Sequence, residues 1–177
     1  MIDNEKLIKQ CQRKSHKAFD ELYKLYSPII FGICLRYTKD RQEAEDLLQD
    51  CFIKIFEKIN DYEFKGSFEG WIRRLTVNNA INYIKSKRKF DFDNVDDVIH
   101  ENLNVKNSVI EELSAEEILK LIKLLPVGYR TVFNLYVVEG YKHAEIAEML
   151  NINEVTCRTQ LKKAREALIK MINERFE

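Results

Sequence analysis

Two groups of side chains in this chain have the type and spacing to do chemistry, and in both the chemistry is recognition. Arg158, Lys162 and Arg165 stand four and three residues apart, which places them on one face of a helix. A cationic row on an element as wide as a major groove can neutralise phosphates and reach base edges. Thr156, Thr159 and Gln160 add neutral hydrogen-bonding groups at the same end, and Lys163 adds a further cation. Earlier in the chain, residues 70–90 hold Arg73, Arg74, Lys85, Lys87, Arg88 and Lys89 and no acid. They follow a loop with Tyr62, Phe64 and Phe68. Aromatic faces beside cations suit the stacking of unpaired bases, at ~1–3 kcal/mol per base. Each group also has a plainer reading. A cationic helix can be a solvated surface, and loop aromatics can cap a core.

Nothing in the spacing suggests bond-making. His16, His100 and His143 are scattered, no Ser or Cys has a base partner at motif spacing, and the carboxylates follow helix-surface periodicity. The four cysteines, Cys11, Cys34, Cys51 and Cys157, form no CxxC pair and have no histidine at ligand spacing. No enzyme, cofactor or metal site is expected, and isolated thiols suit a reducing compartment.

The chain has 177 residues, with 29 Lys+Arg against 29 Asp+Glu. That balance is a sum of unlike parts: 18 basic against 13 acidic residues over 1–90, 1 against 7 over 91–112, and 10 against 9 over 113–177. A charged content of 33% and the absence of a long apolar run exclude a membrane-inserted chain. The first residues, Met1 to Lys6, lack the basic-then-apolar order of a signal peptide, so a cytoplasmic protein is expected.

Only 5 glycines and 2 prolines argue against folds built from many tight turns. The expected fold is all-α: two small helical domains, 1–90 and 113–177, joined by an acidic linker over 91–112, with a helix-turn-helix in the second. The 22 linker residues span at most roughly 70–80 Å, about 20 base pairs of duplex. A short extra helix near Val105 to Leu113 is the alternative within that stretch. The acids Asp91, Asp93, Asp96 and Asp97 could oppose nucleic acid, or mimic it in a basic channel.

In the first domain the apolar spacing predicts a helix over 15–38, capped by Ser15 and kinked or divided at Pro28. A second, over 41–59, opens on Asp40 with Glu43 reaching back. A third begins at Trp71 and turns Trp71, Ile72, Leu75, Ala80, Ile81 and Ile84 inward. In the second domain Ser114 and Glu117 form a capping box, and Pro126 ends the helix that follows. A helix over 127–138 comes next, then a short one carrying Ile146, Ala147, Met149 and Leu150, and a turn at 151–153. Asn153 then caps a long helix from Glu154 that is expected to bury Val155, Leu161, Ala164 and Leu168. A short helix, a tight turn and a longer cationic helix make the layout whose second helix enters a major groove.

Three blocks carry a family likeness: AFDELYKLYSPIIFGICLRYTKDRQEAEDLLQDCFIKIFEKI, GSFEGWIRRLTVNNAINYIKSKRK and LPVGYRTVFNLYVVEGYKHAEIAEMLNINEVTCRTQLKKAREAL. In that order they resemble the extracytoplasmic-function (ECF) sigma factors of bacterial RNA polymerase. The resemblance implies a subunit that binds core polymerase, directs it to promoters and assists melting. It places Asp46, Leu47, Gln49, Asp50, Phe52 and Phe56 on the helix that docks on core polymerase. Tyr62, Phe64, Phe68 and Trp71 match the loop that captures a flipped base of the minus-ten element, and Arg73, Arg74, Asn78 and Lys85 match the helix beside the melted strand. Thr156, Arg158, Thr159, Gln160, Lys162, Lys163 and Arg165 match the helix that reads the minus-thirty-five element. The chain departs from the family's usual pattern at Asn82-Tyr83, Val155 and Gln160. Partners implied are core polymerase, promoter DNA as duplex and melted strand, and an anti-sigma factor. The residues alone leave two other classes open, a stand-alone helix-turn-helix regulator and a helical adaptor that binds another protein.

Overall fold

The computed structural model describes residues 4–87 and 114–176. Every regular element among them is helical. The chain divides into two compact units, Met1–Arg88 and Lys89–Glu177. The expected linker, and the helix considered near Val105 to Leu113, lie outside the described residues.

In the first unit α1 (Asn4–Gln12), α2 (His16–Tyr37), α3 (Arg41–Lys58) and α4 (Phe68–Lys87) pack around one core, with a single 3-10 turn at Ile59–Asp61. The caps are those the sequence specifies. Ser15 accepts from the Ala18 N–H, and Asp40 accepts from the Glu43 N–H at 2.9 Å. The Glu43 carboxylate returns to the Lys39 N–H, one residue before the cap. Leu22, Ile30, Ile33, Leu47, Ile55 and Ile72 are fully buried where α2, α3 and α4 meet.

Three details add to or narrow the expectation. Of the two outcomes expected at Pro28, division does not occur, and α2 runs unbroken through it. Pro28 and Lys24 are both exposed, so the side of α2 on which the Lys24 carbonyl loses its i+4 donor is open to water. The helix α4 starts three residues early, at Phe68, because Ser67 accepts from the Gly70 N–H and supplies a cap. The first helix, α1, buries Leu7, Ile8 and Cys11, a set too short to stand out as a periodic stripe.

In the second unit α5 (Ala115–Leu124), α6 (Val127–Phe133), α7 (His143–Leu150) and α8 (Glu154–Phe176) form the core. Ser114 and Glu117 make the reciprocal capping box. The helix expected over 127–138 changes register at Asn134, and Asn134–Val138 is a π turn in which the Glu139 N–H donates to the Asn134 carbonyl. Leu125, Tyr129 and Ala164 form a buried centre, against which Phe133, Ala167, Leu168 and Met171 pack.

The single tryptophan, Trp71, reports on the first unit alone. Urea unfolding followed by its fluorescence should show Leu22→Ala, at a fully buried site, losing about 2–5 kcal/mol. Asp40→Ala, which removes one cap, should lose about 1 kcal/mol.

Candidate nucleic-acid interface

The helix α7, the turn after it and the first half of α8 form the helix-turn-helix. Asn151 adopts the left-handed conformation (φ 57) that closes α7, and the Asn153 side chain accepts from the Thr156 N–H to open α8. Cys157, Leu161 and Ala164 face inward and are buried, which fixes the rotation of α8. Arg158, Lys162 and Arg165 are therefore exposed together, while Thr156 and Lys163 are half-buried at the margin. Arg158 pairs with Glu154, and Lys162 lies 3.7 Å from Glu166. Exposed i,i+4 pairs are worth only about 0.3–0.5 kcal/mol, so either cation can exchange its carboxylate for a phosphate.

Two expectations for this helix are corrected. Gln160 is 3% exposed and lies with the inward row, so its amide is not on the exposed cationic face. Val155, expected to be buried, is 73% exposed, because it lies on the opposite side of the helix from Cys157 and Ala164. The hydroxyl of Thr159 donates to the Val155 carbonyl at 3.0 Å and so serves its own helix.

Behind the cationic face, His143 stacks on Tyr136, a residue of the π turn, at 4.4 Å. The guanidinium of Arg165 lies 5.9 Å from the same tyrosine ring. The Nδ1 atom of His143 is 3.4 Å from Cys157 Sγ. Burial pushes the Cys157 thiol up to about 11, aided by Glu154 and opposed by Arg158. Burial and then Arg158 lower the His143 imidazolium below its ordinary 6.5; Glu154 opposes them, and Arg165 adds a smaller lowering effect. Both shifts favour a neutral imidazole beside a protonated thiol.

In the first unit the loop between α3 and α4 only partly matches a stacking platform. Tyr62 and Phe68 are each 6% exposed. Their rings lie 4.9 Å apart, and the Tyr62 hydroxyl donates to the Gly66 carbonyl. These two cap the core. Phe64 is left at the surface with φ 60, a conformation that costs a phenylalanine roughly 1–3 kcal/mol. The half-buried Trp71 stacks on Phe68 at 5.5 Å. Gln12 of α1 donates to the carbonyls of Ile59 and Tyr62 and so ties down the start of the loop.

On α4, Arg73 pairs with Glu69 at 3.0 Å, whereas Arg74, Asn78 and Lys85 are exposed. Trp71, Arg74, Asn78 and Asn82 line a cleft of about 400 Å³ together with Lys54 and Lys58 from α3. Sequence reading missed Lys54 and Lys58, and named Asn82 only as a departure from the family's pattern. The lysines' i,i+4 spacing was visible, but only the packing of α3 on α4 joins them to the α4 row.

Of the α3 residues singled out, Asp46, Gln49 and Asp50 are exposed on one face, at spacings of three and one. Leu47 and Phe52 are buried, and Phe56 is half-buried against Phe19 at 4.4 Å. These three position the helix. Ile53, three residues beyond Asp50 and 54% exposed, adds an apolar group to the acidic face.

Family profiles match both units: one described as Sigma-70 region 2 over residues 22–90, and one described as Sigma-70, region 4 over 115–168. The chain is 29% identical to the ECF RNA polymerase sigma factor SigW of Bacillus subtilis, over 96% of this chain and 97% of that one. It is 25% identical to the RNA polymerase sigma-H factor of Pseudomonas aeruginosa, over 96% and 93% respectively. Its fold is similar to that of the sigma factor RpoE from Bartonella quintana, solved in complex with the anti-sigma factor NepR (TM-score 0.55, 18% identity, 89% of this chain and 98% of that one).

The geometry around His143 makes an electrostatic prediction. The folded unit binds this proton more weakly than the unfolded chain does, so stability contributed by neutral His143 is present above pH 6.5 and lost as pH falls through the lower folded value. A histidine NMR titration should place His143 below 6.5, and Arg158→Ala should raise it by removing a nearby cation. His143→Gln should flatten the difference in unfolding free energy between pH 7.5 and 5.5 relative to the parent chain.

Proposed function

The chain belongs to the ECF sigma factors of the sigma-70 family, which direct RNA polymerase to specific promoters, and we propose that two oppositely charged helix faces divide that work. The exposed face of α3, with Asp46, Gln49, Asp50 and Ile53, docks on core polymerase. Acids around one apolar group suit a basic, partly apolar partner. The exposed face of α8, with Arg158, Lys162 and Arg165 and with Lys163 and Thr156 at its margin, reads the minus-thirty-five element as duplex. Between them in function, Phe64 and Trp71 and the cleft lined by Lys54, Lys58, Arg74 and Asn78 take the melted minus-ten strand. Lys85 and the Glu69-paired Arg73 extend the electropositive run of α4.

The observation that carries this reading is the pair of exposed rows, acidic on α3 and cationic on α8, each held outward by a buried row on the same helix. The protein's contribution is binding and positioning, with no bond change of its own, and its place of work is the cytoplasm, with the polymerase. The domain boundaries proposed remain 1–90, 91–112 and 113–177. The complex of the RpoE relative with an anti-sigma factor supports an anti-sigma partner for this chain as well.

Transcription and co-purification with core polymerase separate the two faces. Asp46→Lys with Asp50→Lys should abolish co-purification with core. Arg158→Ala with Arg165→Ala should leave core binding intact and lower promoter-directed RNA roughly ten- to hundredfold. If the first pair leaves core binding unchanged, α3 is not the docking face. A stand-alone DNA-binding regulator would be indifferent to it.

A further inference from the structure

Val155 is the most exposed large apolar side chain among the described residues, at 73%, and it sits in the first turn of the helix proposed to read duplex DNA. A helix that buries Cys157, Leu161 and Ala164 on one side gains nothing structural from a valine on the other. Thr159 stands one turn further along the same outer line. Its hydroxyl is turned back to the Val155 carbonyl, so the group it adds to that line is its methyl. Val155 and Thr159 therefore make a short apolar strip. Arg158 and Lys162 run along one side of it, the one held by Glu154 and the other near Glu166.

The edges of the base pairs in a major groove are donors and acceptors with one apolar exception, the C5 methyl of thymine. A strip of methyls, carried into the groove by the cations beside it, has that group as its match. We propose that Val155 and Thr159 are specificity-determining residues that select thymine at adjacent positions of the minus-thirty-five element by burying its methyl. The proposal rests on the assignment of α8 to duplex DNA. It also replaces the hydrogen-bonding role that residue type alone suggests for Thr159. Neither residue supplies charge, so their effect falls on sequence preference and leaves the salt dependence to the cations.

The test uses holoenzyme assembled from the full chain and core polymerase. It is offered promoter duplexes randomised across the minus-thirty-five element and synthesised in two forms, one with thymine and one with uracil, which lacks the methyl. Sequencing the bound fraction should show a thymine preference at one or two neighbouring positions, about fourfold for each methyl buried, that disappears in the uracil pool. Val155→Ala should erase it at one position and Thr159→Ser at the other, with enrichment elsewhere in the element and core binding unchanged. Equal enrichment of thymine and uracil by the parent protein overturns the proposal, as does a thymine preference that Val155→Ala leaves unchanged at every position. In those cases the assignment of α8 still stands if Arg158→Ala with Arg165→Ala abolishes enrichment. A parent holoenzyme that enriches no minus-thirty-five sequence removes that assignment and this proposal together.

Discussion

Burial of one side of each long helix decides where every functional charge in this chain can go. Rotating α8 by one residue, about 100°, would carry Cys157, Leu161 and Ala164 out of the core and bring cations toward it. Each buried aliphatic side chain is worth about 1.5–3 kcal/mol, so the phase of the helix is strongly held. The same holds for α3, where Ala44, Leu47, Cys51 and Ile55 are fully buried and leave Asp46, Gln49 and Asp50 no direction but outward. Recognition surfaces on rigid, phase-locked helices present their groups at fixed spacing, and so less conformational freedom is lost on binding.

The overall charge balance acquires a meaning from this. Cations and carboxylates that cancel in the sum are sorted by face, with acids on α3 and a cationic row on α8. Even on α8 the cations have acidic neighbours one turn away, Glu154 beside Arg158 and Glu166 near Lys162. Such pairs weaken indiscriminate attraction to phosphate while leaving close, well-oriented contacts available. A protein meant to meet DNA on the polymerase benefits from that restraint.

Much of the fold was legible in the sequence because its signals are local. Ser15, Asp40, Ser114 and Asn153 cap where their side chains can reach orphan N–H groups, and the 3.6-residue spacing marks the long helices. What was missed depends on contacts or on phase. The helix α1 is too short to show a stripe, and the π turn at Asn134 leaves no mark in composition. For Tyr62 and Phe68 the sequence left stacking on bases and capping a core both open, and only their burial and ring contacts with Trp71 decide for the core. Gln160 and Val155 exchange their expected environments because side-chain type suggested one face and helical phase imposed the other. Within the site, the charged residues were easier to place than the neutral ones, since the cost of burying a charge restricts it to the surface and an amide is not so restricted.

The central claim is that the α3 face meets protein and the α8 face meets DNA within one holoenzyme. Photo-crosslinking reads this directly, with a benzoylphenylalanine introduced at Asp50 in one chain and at Arg158 in another, each assembled with core polymerase on promoter DNA. The account predicts that position 50 attaches to a polymerase subunit and position 158 to DNA of the minus-thirty-five element. Attachment of position 50 to DNA, or of position 158 to polymerase alone, would contradict it.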